Sequence, residues 1–270
     1  MSCYSLAGVV TLFVLFLYIS DVTSMRTLKN VAVKYGESVT IPCLYEEQYK
    51  TNPKFWCKGY YWSTCSIVAY VNTHGSTSIT DYPAQNMFTV EMNPVYDSRY
   101  YWCAAESGSK WDPDDRDYLY LTVNEDPDLS VVKSRVKGEE GGSVTVQCLY
   151  SAAYRNTEKY WCRLKDRSYY TVGKTDTSQN SAVYISDNGR SFSVEIRGLK
   201  KSDAGWYWCS AGYLQVPVHI SVSDPPPDLT AVTTSVNKTV NKTVTKTVAS
   251  TGTTATHYVS TYANTCDCSV

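Results

Sequence analysis

The stretch YGESVTIPCLY, residues 35–45, decides the fold. Val39, Ile41, Cys43 and Tyr45 alternate with Ser38, Thr40 and Pro42, the period of a strand with one face in a core. The stretch is answered 105 residues later by EGGSVTVQCLY, residues 140–150, with Val144, Val146 and Cys148 in the same phase. Working outward at nearly the same offset, Phe55-Trp56-Cys57 is matched by Tyr160-Trp161-Cys162. Phe88 to Met92 is matched by Phe192 to Ile196, and Tyr101-Trp102-Cys103 by Tyr207-Trp208-Cys209. The chain therefore holds two copies of one module. Short alternating runs separated by Gly, Asn, Asp and Ser clusters, as at 72–78 and 187–189, with no helical spacing, make each module all-β.

In both copies a Trp follows the first Cys by 13 residues (Trp56 after Cys43, Trp161 after Cys148), and Cys103 or Cys209 closes the module some sixty residues on. That order is the core signature of an immunoglobulin sandwich, a Trp packed on the disulfide that joins two sheets. The expected core bonds are Cys43 with Cys103 and Cys148 with Cys209. Tyr101 and Tyr207, two residues before the second Cys, fit a tyrosine corner bonded back to the chain near Asp97 and Asp203. Side chains alternate along a strand, so with Trp56 inward Cys57 points to the outer face, where Cys65 is its expected partner across a short hairpin. Such a clamp would pre-order a binding loop.

The motif FWCKGYYWSTC, residues 55–65, together with DAGWYWC, residues 203–209, resembles the polymeric immunoglobulin receptor and the CMRF-type leukocyte receptors. The likeness covers residues 28 to about 223 and implies V-type domains that bind immunoglobulin Fc, lipids or other surface ligands, usually ahead of a transmembrane helix. Three departures stand out. Arg99 replaces the Gly that module two keeps as Gly205. Ser76 and Ala182 stand where an Arg commonly pairs with the Asp of the Tyr corner, so Asp97 and Asp203 are expected to lack that partner. Tyr170 stands where module one has Cys65, leaving Cys162 without its counterpart.

The chain has 270 residues, 43% of them hydrophobic, and a formal net charge of -1, a globular composition with no basic excess for a nucleic-acid backbone. Ten Cys and 24 Tyr suit disulfide-held β modules of an oxidising compartment. The apolar run 6–19 followed by small residues reads as a signal peptide, residues 1–24, cut before Met25. Domain one is then 25–124 and domain two 127–223, joined by the short linker NEDPDL, residues 124–129. From Asp224 the chain is Pro-rich and then Thr-rich, with sequons at Asn237 and Asn241. Residues 224–270 read as a disordered, glycosylated, stalk-like tail with no transmembrane helix. Removing Cys3 with the signal leaves nine cysteines, an odd number. Cys162, Cys266 and Cys268 are left over, to stay unpaired, to tie the tail to module two, or to link a homodimer.

The three loops at one end of module one, 45–54, 71–78 and 105–117, are the expected binding edge of a V-type domain. They offer Tyr49, Lys50, Asn52 and Lys54, then Trp111 beside Asp112 as a hot-spot anchor. The family resemblance implies the first loop as a principal immunoglobulin contact. Asp112, Asp114 and Asp115 could hold Ca2+, although solvated loop aspartates are the commoner case, and no cofactor or metal is expected. No nucleophile elbow, His-Glu-x-x-His helix or phosphate-binding Gly loop occurs, so an enzyme is not expected. The reading is an extracellular immune recognition protein with immunoglobulin Fc as the favoured partner. It is secreted, or at the plasma membrane if the natural chain continues into a spanning helix. A lipid-head-group receptor and a disulfide-linked adhesive module are the alternatives.

Overall fold

The computed structural model describes residues 25–108, 114–165, 168–175, 179–180 and 182–225. Each module is a two-sheet sandwich, antiparallel except where Asn30–Lys34 runs parallel to Asp115–Asn124 and Arg135–Glu139 parallel to Leu214–Ser223, and among the described residues there is no α-helix, only five 3-10 turns. In module one the strand holding Cys43, Val39–Leu44, lies between Arg26–Thr27 and Met87–Met92, with Thr77–Tyr82 beyond. The facing sheet runs Asn30–Lys34, Asp115–Asn124, Arg99–Ala105, Lys54–Lys58 and Ser66–Tyr70. Module two repeats this plan. Ser143–Tyr150 is flanked by Leu129–Val131 and Ser191–Arg197, then Val183–Asp187 and Gln179–Asn180. Opposite lie Arg135–Glu139, Leu214–Ser223, Gly205–Ala211, Lys159–Lys165 and Ser168–Lys174.

The inward residues of the alternating runs form the core. Val39, Ile41, Cys43, Trp56, Phe88, Val90 and Cys103 are buried in module one, and Val144, Val146, Cys148, Trp161, Phe192, Val194 and Cys209 in module two. Cys43 is bonded to Cys103 and Cys148 to Cys209, with Cα atoms 6.1 and 6.3 Å apart. Trp56 stacks on Tyr101 at 5.0 Å between centroids and Trp161 on Tyr207 at 5.1 Å, both nearly coplanar. The Tyr207 hydroxyl donates to the Asp203 carbonyl at 2.9 Å, closing the corner of module two.

Asp97 and Asp203 find cations from elsewhere. Arg163, on the strand of Trp161, reaches to 4.0 Å from the Asp203 carboxylate, while its guanidinium lies over the Tyr207 ring and donates to the Ser202 and Ala204 carbonyls. In module one, Arg99 stands 3.7 Å from Asp97 at the surface. Leu129, in the stretch read as linker, is fully buried in the core of module two and starts its first strand. The facing sheets of the two modules meet at one parallel bridge, Gln215 against Val31, where the Gln215 side chain also accepts from the Lys29 amide at 2.8 Å.

Candidate functional site

Two of the expected binding loops are tied together at the end of module one. The first carries the 3-10 turn Glu47–Tyr49 and approaches the third through Asn52, whose side-chain amide donates to the Glu106 carbonyl at 2.7 Å. The Glu106 amide returns a bond to the Pro53 carbonyl at 2.9 Å. Ser107 donates its amide to the Asp114 carboxylate at 3.1 Å, shaping the third loop from within. Lys50 stays at the surface, paired with Glu47 at 2.9 Å, and Tyr49 is half-buried against the core. Trp111 and Asp112 lie outside the described residues.

Lys54 does not belong to the binding edge. It is 2% exposed, because its strand turns the ammonium inward to the Lys50 carbonyl at 2.6 Å and the Asp81 carboxylate at 2.9 Å. The ammonium lies over the Tyr45 ring, and the Tyr45 hydroxyl donates to the other Asp81 oxygen at 2.9 Å. Burial, and then the Asp81 carboxylate, push the Tyr45 hydroxyl well above its ordinary pKa. Module two builds the same set from Tyr150, Lys159 and Asp187, with Lys159 bonded to the Arg155 carbonyl at 2.6 Å. Each buried charge thereby has an opposite partner and further hydrogen bonds, the condition for placing it in a core.

Asp115, read with the loop aspartates as an ion ligand, is also buried. It is 8% exposed, opens the strand Asp115–Asn124, and accepts at both oxygens, 2.8 and 2.9 Å, from the Met25 nitrogen. Its carboxylate is thus committed to holding the start of the module, and no cluster of metal-ligating side chains occurs among the described residues.

Cys57 is bonded to Cys65 on the outer face, with Cα atoms 5.7 Å apart. The bond is covered rather than exposed, since Cys57 is fully buried in a small cluster with Phe55, Ala104, Trp62 and Trp102. A Cβ on Gly59 would meet the Cys65 Cα at 3.0 Å, so the hairpin needs a residue without a side chain there. Trp102 pins the same residue by donating its indole N–H to the Gly59 carbonyl at 2.8 Å. The aromatic ridge continues across the sheet through Tyr60, Tyr100, Tyr118 and Tyr120, with neighbouring centroids 4.7 to 6.4 Å apart. Strand parity could have located it, because Tyr100 and Trp102 have the outward phase of Cys57.

In module two the corresponding Cys162 is fully buried, together with Leu164, Trp206 and Trp208, in a cluster that also takes in residues of module one. Cys162 is itself in a disulfide, whose other half lies outside the described residues. Of the three states left open for it, the unpaired thiol is therefore overturned. Cys266, Cys268, Asn237 and Asn241 lie outside the described residues.

Residues 131–224 match the immunoglobulin V-set domain family. The chain is 28% identical over 198 residues to the polymeric immunoglobulin receptor of Rattus norvegicus, a match covering 67% of this chain and 25% of that protein. It is 43% identical over 81 residues to CMRF35-like molecule 1 of Mus musculus, covering 27% of this chain and 24% of the relative. A solved teleost fish polymeric Ig receptor ectodomain is 41% identical across 75% of this chain and 99% of that one. The chain belongs to the polymeric immunoglobulin receptor-like family. The TM-score with the fish ectodomain is 0.36. This receptor-like chain spans about a quarter of the length of the curated polymeric immunoglobulin receptors it matches. Its immunoglobulin modules are homologous to those of these receptors, and among its described residues no helix is long and apolar enough to cross a membrane.

Proposed function

We propose that the chain is an extracellular immune recognition protein whose module one binds immunoglobulin Fc through its first and third loops. The sequence match to polymeric immunoglobulin receptors across both modules carries this reading. The loop geometry supports it. Asn52 and Glu106 join the two loops into one rigid edge, which lowers the ordering cost of binding. Tyr49, Lys50, Asn52, Trp111 and Asp112 are the contact set, with Lys54 left out because it is buried.

Polymeric and monomeric immunoglobulins, immobilised separately, test the proposal with the full chain as analyte. Saturable binding that favours the polymer and weakens at least tenfold in Lys50→Glu or Trp111→Ala is the expected result. Lipid vesicles with and without Ca2+ serve as the competing surface. Binding to vesicles with no signal on any immunoglobulin overturns the reading.

A further inference from the structure

We propose that module one carries a second site, for an acidic sugar, at the end of the Lys54–Lys58 and Arg99–Ala105 sheet away from the three loops. A hollow of about 500 Å3 lies there, lined by Lys58, Arg99, Ser66, Tyr60, Tyr100 and Tyr120. Lys58 makes no side-chain ion pair or hydrogen bond among the described residues. Arg99 is held there only by Asp97 at 3.7 Å, both side chains at least half exposed. An exposed pair of this kind is weak and yields readily to a better partner. The guanidinium fork matches a carboxylate or sulfate with two parallel bonds, and the nearby ammonium adds a second charge.

The walls select the rest of the ligand. Tyr60 meets Tyr100 edge-on at 4.8 Å, and Tyr100 meets Tyr120 at 4.7 Å, so the same hollow that Lys58 and Arg99 line is also lined by tyrosine rings that carry hydroxyl groups. A sugar ring presents an apolar C–H face to such rings and hydroxyls to such groups, the mixture of apolar wall and few polar groups that marks small-ligand sites. The hollow is pre-formed. Gly59 donates its amide to the Tyr100 carbonyl at 3.0 Å, Trp102 holds the Gly59 carbonyl, and the Cys57–Cys65 bond closes the hairpin that presents Tyr60.

Module two is an internal control. Its counterpart of Lys58 is Arg163, turned onto the Ser202 and Ala204 carbonyls, and its counterpart of Arg99 is Gly205, with no charge to offer. The site is thus particular to module one, and it lies apart from the loops of the proposed immunoglobulin contact.

Titration of the full chain with 3′-sialyllactose, 6-sulfated lactose and lactose, followed by saturation-transfer NMR and calorimetry, tests the proposal. The two acidic probes separate a carboxylate from a sulfate ligand. At least one should bind tenfold or more tightly than lactose, with affinity falling as salt rises. Arg99→Ala and Lys58→Ala should each weaken that probe at least tenfold, and Arg99→Lys less. Thermal unfolding and immunoglobulin binding should stay unchanged in these variants, which keeps failure of this site distinct from failure of the loop reading. Equal binding of lactose, no saturable binding of either acidic sugar, or indifference to Arg99→Ala overturns the proposal. So does tighter binding of a tyrosine-sulfated peptide, which the open edge of Ser66–Tyr70 could pair with.

Discussion

The ammonium of Lys54 stands 2.9 Å from the Asp81 carboxylate inside module one, and Lys159 repeats the relationship with Asp187 at 3.6 Å in module two. Lys54 is 2% exposed while the Asp81 side chain is 16% exposed, so the two halves of the pair are not equivalent. Asp81→Ala strands a buried cation and should cost about 3–5 kcal/mol. Lys54→Met leaves an anion that keeps the Tyr45 hydroxyl and some water, and should cost less, about 1–3 kcal/mol. Urea denaturation of both variants checks the order; equal losses would remove the asymmetry.

Module two should lose stability at both extremes of pH through one hydrogen bond, Tyr150 to Asp187. Burial opposes ionisation of Asp187, but the Tyr150 hydroxyl, the Gly189 amide and Lys159 outweigh it and hold the carboxyl below its usual value. Its stabilisation is therefore complete above the unfolded value of about 3.9 and is lost as pH falls through the lower folded value. Tyr150 is pushed up to about 12 by burial and then by Asp187. Its contribution is complete below the unfolded value of about 10 and is lost as pH rises through the folded one. Urea midpoints against pH should flatten in acid for Asp187→Asn and in alkali for Tyr150→Phe. Curves parallel to the wild type would refute the assignment.

Opening the Cys57–Cys65 bond with Cys65→Ser should destabilise the chain by about 2–3 kcal/mol, the chain-entropy value for so short a loop. Gly59→Ala should also destabilise, because its Cβ would meet the Cys65 backbone at 3.0 Å. Calorimetric melting of the two variants and their double reports whether the hairpin acts as a unit. In that case the double variant loses less than the two single losses added together.

Cleavage before Met25 would convert a nitrogen that already faces both Asp115 oxygens into an ammonium with a matching charge. Intact-mass analysis of the mature protein should therefore find Met25 as its first residue. Asp115→Asn should lower stability by about 1–3 kcal/mol, the usual loss for a buried hydrogen bond to a charged group. A mature chain beginning several residues earlier, with an unchanged melting temperature, would contradict this.

The core was legible because periodicity and spacing are local in sequence. The alternation around Cys43 and Cys148, the Trp residues and the closing cysteines each report a strand facing inward, and the repeat tests every spacing twice. The binding edge was less legible. Lys54 reads as a loop cation, and nothing in its neighbours shows that Asp81, 27 residues away, waits across the sandwich. Asp115 reads as one of a solvated trio, yet its partner Met25 lies 90 residues earlier.

The sequence by itself determined two immunoglobulin sandwiches, their core disulfides and the outer Cys57–Cys65 clamp. Those features depend on side-chain type and on the two-residue period of a strand, which pairing of strands does not alter. Only the tertiary structure decided which charges are spent inside the modules and which remain at the surface. It also decided that Cys162 is buried in a bond, and that Lys58 and Arg99, 41 residues apart in the chain, line one hollow. The physical reason is that burial and charge pairing are properties of neighbours across sheets, set by strand order and register rather than by sequence distance.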